Sequence, residues 1–172
     1  MKHAEALTSI TCSTVNSYNG LVPRVGGFEG GTVTWAPTNI TYGHNNRSAQ
    51  FRLPQNRYCI ENRAADMTMN VYLAFSMTLA AAVEGIKMKI HPGKPTDQDL
   101  YNMTDKEFKK LGIKRLPRNL LMALEALKND KLSDEVIGTV MKNSLLAYKN
   151  DEWERYHQAV TDWEVKEYLR LY

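Results

Sequence analysis

Only two cysteines occur in this sequence, Cys12 and Cys59. Two thiols are too few for a disulfide framework and lack the spacing of a zinc site. No basic-then-apolar leader opens the chain, so reduced thiols in a cytoplasmic protein are expected. A glycine-rich P-loop and a dinucleotide fingerprint are both missing, which excludes the two commonest ways of cradling a nucleotide. Long apolar runs are scarce as well. The nearest to a membrane span, residues 67–86, follows Asp66 and is interrupted by Thr68, Asn70, Ser76, Thr78 and Glu84. Such a segment reads as a helix buried by protein, with no membrane partner. The excess of base is small, a net +3, and lysines in the second half alternate with acids, as in Lys106-Glu107 and Lys166-Glu167. Solvated helix faces look like this, whereas nucleic-acid binding needs a concentrated basic stripe.

The base that is present is concentrated. Through Arg63 the chain holds Arg24, Arg47, Arg52, Arg57 and Arg63 with Lys2 as the lone lysine, against Glu5, Glu29 and Glu61. The rest carries sixteen residues of each sign, so the whole net charge resides in the first third. Arginine presents a planar fork of donors that grips carboxylate or phosphate two-handed and stays protonated. An arginine cluster of this kind points to an anion site.

At 172 residues, with 43% hydrophobic and 24% charged residues, the chain suffices for one domain with a substantial core. A short helix is expected from His3 to Ile10. Gly20, Gly26-Gly27 and Gly30-Gly31 then punctuate a loop containing Glu29. Strands are expected at Thr32 to Trp35, Ser48 to Leu53 and Tyr58 to Asn62, with turns at Pro37 and His44-Asn45-Asn46. Beyond Asp66 the pattern becomes helical, to about Lys89. A capping box at Thr104 and Glu107 starts another helix, Pro117 suits the first turn of one reaching about Lys128, and Ser133 is placed to cap the next. Trp153, Tyr156, Val160 and Trp163 recur at helical spacing and read as core or subunit contacts, and Thr161 with Glu164 restarts a helix after a kink. The predicted fold class is α+β, a small antiparallel sheet followed by a mostly helical C-terminal half. Residues 1–63 would form the loop and strand region bearing the anion site, and 64–172 the helical region.

The strongest local pattern is Asn46-Arg47-Ser48-Ala49, then Arg52-Leu53-Pro54, then Glu61-Asn62-Arg63. On a strand, a carboxylate two residues before an arginine shares its face. Two readings stay open. Glu61 and Arg63 form an ordinary structural ion pair, or Glu61 holds a hard divalent cation while the arginines hold anions gathered there.

These residues, together with Thr14-Val15-Asn16-Ser17-Tyr18, Asn70-Val71-Tyr72-Leu73-Ala74 and Val160-Thr161-Asp162-Trp163-Glu164, resemble the C-terminal part of the catalytic domain of glutamine synthetases over essentially the whole chain. Gly26-Gly27-Phe28-Glu29-Gly30 and Trp35-Ala36-Pro37-Thr38-Asn39 are closer to the branch that joins glutamate to amines such as methylamine. The resemblance implies an ATP-dependent ligase, oligomeric when full-length, that phosphorylates the side-chain carboxylate of glutamate and lets ammonia or a small amine displace the phosphate, with Mg²⁺ or Mn²⁺. It also implies roles. Glu61 is a metal ligand, Arg63 a clamp on glutamate, Arg47 a donor to the transferring phosphate, Arg52 an ATP contact, and Glu29 the carboxylate of a flap that takes a proton from the nucleophile.

Two departures qualify this resemblance. Gly20 stands where the family has an arginine for the glutamate carboxylate, and Cys59 where another contacts the nucleotide. Arg24 and Arg57 lie within a few residues and are expected to substitute for glutamate and ATP binding respectively. The family's other metal and nucleotide residues lie upstream of Met1, so the chain alone is expected to be inactive. The alternatives are a truncated, non-catalytic paralogue that binds a full-length relative, and an anion-binding module unrelated to ligation.

Overall fold

The computed structural model describes residues 1–21, 36–101, 103–169 and 171. Helix α1 (Ala4–Thr11) is buried almost throughout, with Ala6, Leu7 and Ile10 in the core. A 3-10 turn, Val15–Gly20, follows and buries Tyr18. Strands β1 (Asn39–Gly43), β2 (Ala49–Arg52) and β3 (Glu61–Asn62) come next, then α2 (Val71–Lys87) and α3 (Asp105–Leu111). The two-residue β4 (Lys114–Arg115) precedes α4 (Leu120–Asn129), α5 (Lys131–Ile137), α6 (Thr139–Gln158) and α7 (Asp162–Tyr168). The fold is α+β, as expected from the sequence.

The sheet order is β3-β2-β1-β4. Two of its pairs are antiparallel, but β1 and β2 run parallel, with Asn39 opposite Ala49 and Gly43 opposite Arg52. The sheet is therefore mixed where an all-antiparallel one was expected. Residues 44–48 carry the chain back to the start of β1 instead of closing a hairpin. Gly43 permits that return, because a Cβ there would lie 2.5 Å from the Thr96 carbonyl oxygen and 2.8 Å from Asp97 Oδ1. Asp97 Oδ1 instead accepts from the backbone N–H groups of His44 and Asn45. β1 and β4 were not anticipated, the first because its Asn and Gly termini are poor strand formers and the second because it is so short. The strand expected at Ser48 to Leu53 is Ala49–Arg52, and that at Tyr58 to Asn62 contracts to Glu61–Asn62. The strand expected at Thr32 to Trp35 lies outside the described residues.

Helix boundaries follow their caps. Thr104 with Glu107 and Thr161 with Glu164 both form the expected reciprocal boxes. Ser133 does not cap α5; Asp130 does, its Oδ1 accepting from the Ser133 N–H at 2.9 Å. The helix expected to be buried, α2, fully buries Ala74 and Met77 and packs Leu73, Ala80 and Ala81 partly against the core. Tyr72, Phe75, Leu79, Val83 and Ile86 form an exposed apolar stripe along its other side. Of the four residues expected to pack, Trp153 lies against the core, and Tyr156, Val160 and Trp163 are exposed.

Two apolar clusters hold the layers together. One joins Ala6, Leu7 and Ile10 of α1 to Ala74 and Met77 of α2, Leu127 of α4 and Leu132 of α5, with Phe51 of β2 packed onto it. The other joins Cys12, Tyr18, Leu116, Leu120 and Leu124. Phe51 thus faces the helices, and the alternation of β2 turns its neighbours Gln50 and Arg52 to the opposite side.

Candidate functional site

The Asn-Arg-Ser sequence is divided between structure and exposure. Asn46 is buried, and its side-chain N–H groups donate to the carbonyl oxygens of Thr96 at 2.7 Å and Gln98 at 2.9 Å. Its Oδ1 accepts from the Ser48 N–H at 2.9 Å and the Ser48 hydroxyl at 2.5 Å. Asn46 and Ser48 therefore pin the backbone on either side of Arg47, which is exposed. Just after β3, Arg63 Nε donates to the Arg47 carbonyl oxygen at 3.2 Å.

Three arginines converge on one carboxylate. Glu61 Oε2 lies 3.2 Å from Arg52 Nη1 and 3.3 Å from Arg57 Nη2, and Glu61 Oε1 lies 3.0 Å from Arg63 Nη1. The antiparallel register explains two of these contacts. Arg52 is directly opposite Glu61, and Arg63 follows Glu61 by two residues on the same face. Arg57 reaches in from the connection between β2 and β3 and is 61% exposed, against 16% for Arg63. Three guanidinium groups against one carboxylate leave the cluster with two positive charges. An open cleft of about 440 Å³, lined by His44, Pro54, Arg57, Tyr58 and Cys59 among others, borders it.

Partial burial pushes the Glu61 carboxyl upward, but the hydrogen bond from Arg63 and the charges of Arg52, Arg63 and Arg57 outweigh it and hold the group below the usual carboxylate range. A folded-state value below the unfolded one makes this contribution complete above the unfolded value, about 4.3, and removes it as the pH falls through the lower folded value. The loss of stability on acidification from pH 7 to about pH 3 is expected to be smaller in Glu61→Gln than in the wild type. Urea midpoints at the two pH values measure this, and equal losses would show that Glu61 is not coupled to folding.

The structure thus brings Glu61, Arg52, Arg57 and Arg63 together and sets Arg47 beside them through its backbone. Arg24 and Glu29 lie outside the described residues. Gly20 ends the 3-10 turn, and a Cβ there would meet nothing within 4 Å. Cys59 is exposed, while Cys12 is buried and its thiol is pushed up to about 12, by desolvation first and the nearby Asp66 charge second. Sequence reasoning missed Gln50, whose amide is fully buried on the Arg52 face. Alternation along β2 gives the face of Gln50 but not its burial.

A divalent cation does not fit these residues by themselves. Both Glu61 oxygens already accept from guanidinium groups, and among the described residues no group of three or more His, Cys, Asp or Glu side chains could hold a metal ion. Among the same residues, no helix is long and apolar enough to cross a membrane.

Residues 1–168 match the family model described as glutamine synthetase, catalytic domain. A glutamine synthetase of Methanocaldococcus jannaschii is 41% identical over 172 residues, covering 98% of this chain and 36% of that protein. A glutamate–methylamine ligase of Methyloversatilis universalis is also 41% identical over 172 residues, covering all of this chain and 38% of the relative. A solved structure of a GmaS/ADP complex superposes with a TM-score of 0.81 at 33% identity, covering 98% of this chain and 37% of that one. The chain spans little more than a third of the length of these relatives.

Proposed function

Because the chain belongs to the glutamine synthetase catalytic-domain family, we propose that it supplies the arginine-rich anion site of an ATP-dependent ligase. That ligase converts the side-chain carboxylate of glutamate to an acyl phosphate, and ammonia or a small amine then displaces the phosphate. The convergence of Arg52, Arg57 and Arg63 on Glu61, with two positive charges left over, carries this reading. Phosphoryl transfer to a carboxylate brings anions together, and fixed guanidinium donors lower its barrier without reorganising at the moment of reaction. In this assignment Arg52 and Arg57 hold ATP phosphates, Arg47 donates to the transferring group, and Arg63 and Arg24 hold glutamate. Glu29 accepts the proton of the nucleophile.

Glu61 would serve a Mg²⁺ or Mn²⁺ ion only alongside carboxylates that the described residues do not provide, so no step is assigned through a metal here. The chain by itself is accordingly expected to bind ATP phosphates yet release none. The test pairs calorimetric titration of the purified chain with ATP and Mg²⁺ against a phosphate-release assay with glutamate added. Absence of ATP binding would refute the anion-site assignment. Glutamate- and metal-dependent phosphate release would refute the expected inactivity.

One observation favours a second reading, that of a non-catalytic paralogue docking on a full-length relative. The apolar stripe from Tyr72 to Ile86 on α2 is exposed, a surface usually covered by more polypeptide. Co-purification with a full-length relative, and loss of that association in Phe75→Glu, would distinguish it.

A further inference from the structure

The exposed face of α2 has a symmetry that the ligase reading does not use. Tyr72, Phe75, Leu79, Val83 and Ile86 are 46–81% exposed and form one continuous apolar row. The row is uncharged, because the sequence has no acid or base from Met67 to Val83. Glu84, which follows, is turned to Lys2 and His3. Scattered apolar residues on a surface need no explanation, but a continuous row of large ones marks an interaction surface.

The row reads alike from either end. Its spacings are three, four, four and three, centred on Leu79, and the exposed small residues Ser76 and Ala82 lie three positions to either side of that centre. Two copies of α2 crossing antiparallel about a two-fold axis at Leu79 therefore set Tyr72 on the partner's Ile86, Phe75 on the partner's Val83 and Leu79 on itself. The match extends around the helix. At about 100° per residue Phe75 and Val83 lie about 40° to opposite sides of Leu79, and the two-fold brings each onto the side of the other. Ser76 meets the partner's Ala82, and side chains this small allow the helix axes to approach to about 8–9 Å. Charge favours the same sense. Asp66 precedes the row and Lys87 and Lys89 follow it, so an antiparallel pair brings the lysines of each copy to the acidic end of the other.

The area is sufficient. Aromatic side chains present about 150–250 Å² each and aliphatic ones somewhat less, so the five at these exposures offer roughly 500–700 Å² per copy. Pairing two rows would bury about 1,000–1,400 Å², which reaches the size at which specific interfaces begin, about 1,200 Å². An apolar cleft lined by Leu53, Ile60, Thr78 and Ala82 adjoins the row and extends that surface.

We propose that this face of α2 is a self-association surface whose occupant is a second copy of the chain, joined antiparallel about Leu79. The inference is independent of the ligase reading and gives the row a different occupant from a full-length relative.

Sedimentation of the whole chain over about 1–200 µM should show a reversible monomer–dimer equilibrium. Leu79→Glu sets two like charges against each other on the axis and is expected to weaken the dimer at least about 100-fold. Helical circular dichroism should not change, because Leu79 is 63% exposed. Cysteine cross-linking reads the direction of pairing, in a Cys59→Ser background because Cys59 is exposed. Leu79→Cys should close a disulfide between copies under mild oxidation. Tyr72→Cys should not, since its two copies lie about 21 Å apart in the antiparallel pair. This pair of variants decides the matter if Leu79→Glu does not fold. A chain that is monomeric throughout, a dimer indifferent to Leu79→Glu, or cross-linking through Tyr72→Cys would each overturn the inference. Association only with an added full-length relative would overturn it in favour of that docking. A dimer that binds no ATP would refute the anion-site assignment and leave this inference standing.

Discussion

His3→Ala is expected to lower the unfolding free energy by about 3 kcal/mol, the cost of removing a buried ring and leaving a carboxylate without its hydrogen-bond partner. His3 is 8% exposed at the start of α1. Its Nδ1 lies 2.6 Å from Asp130 Oδ2 and its Nε2 lies 2.6 Å from Glu84 Oε2. One ring thus ties α1 to α2 through Glu84 and to the start of α5 through Asp130. Lys2 Nζ, 2.7 Å from Glu84 Oε1, can still serve Glu84 after the substitution. Asp130 has no such reserve. Its side chain is only 10% exposed, its Oδ1 is committed to the Ser133 N–H, and Lys142 reaches its backbone oxygen, with the Lys142 charge directed to Asp134. The substitution therefore strands a carboxylate in the interior next to a cavity. Urea unfolding at neutral pH measures the loss, and Asp130→Asn in the His3→Ala background should recover part of it. A loss below about 1 kcal/mol would place His3 among ordinary surface pairs. The effect would reach the anion site, because Phe51 of β2 rests on the cluster built from α1, α2 and α5.

How far the site was legible in the sequence follows from which residues interact locally. Glu61 and Arg63 are two apart and had to share a face, and the capping boxes at Thr104 and Thr161 are contained in four residues each. The convergence of Arg52 on Glu61 required the register of β2 against β3, which no local pattern specifies. The parallel pairing of β1 with β2 depends on residues 96 and 97 packing against Gly43, a contact across more than fifty positions. The burial expected for α2 failed because hydropathy reports what a helix prefers to bury. It does not report what lies alongside, and among the described residues only one stripe of α2 has protein against it. Gln50 was invisible for a different reason. A polar residue in an alternating strand normally reads as solvent-facing, and only the covered face of β2 shows otherwise.

Arg63→Lys is expected to weaken binding of glutamate by about 30- to 100-fold while the chain stays folded, the loss of one or two charge-assisted hydrogen bonds. Charge is conserved in this substitution and geometry is not. The Arg63 guanidinium uses Nε for the Arg47 carbonyl oxygen and Nη1 for Glu61, two contacts in different directions made by one rigid plane. That plane holds the exposed Arg47 turn in register with β3 and keeps Glu61 oriented between three cations. A lysine ammonium at the end of a flexible stem satisfies Glu61 or the Arg47 carbonyl oxygen, and cannot present a fork to an anion afterwards. Arg155→Lys supplies the internal control, since Arg155 is 65% exposed on α6, pairs with Asp151 and lies outside the cluster. Its affinity should remain within about twofold, as for a screened surface pair. Calorimetric titrations of both variants at one salt concentration give the comparison. Equal affinities for the two would mean that net charge alone attracts the anion, and the converging guanidinium planes would cease to be evidence for a phosphoryl-transfer site.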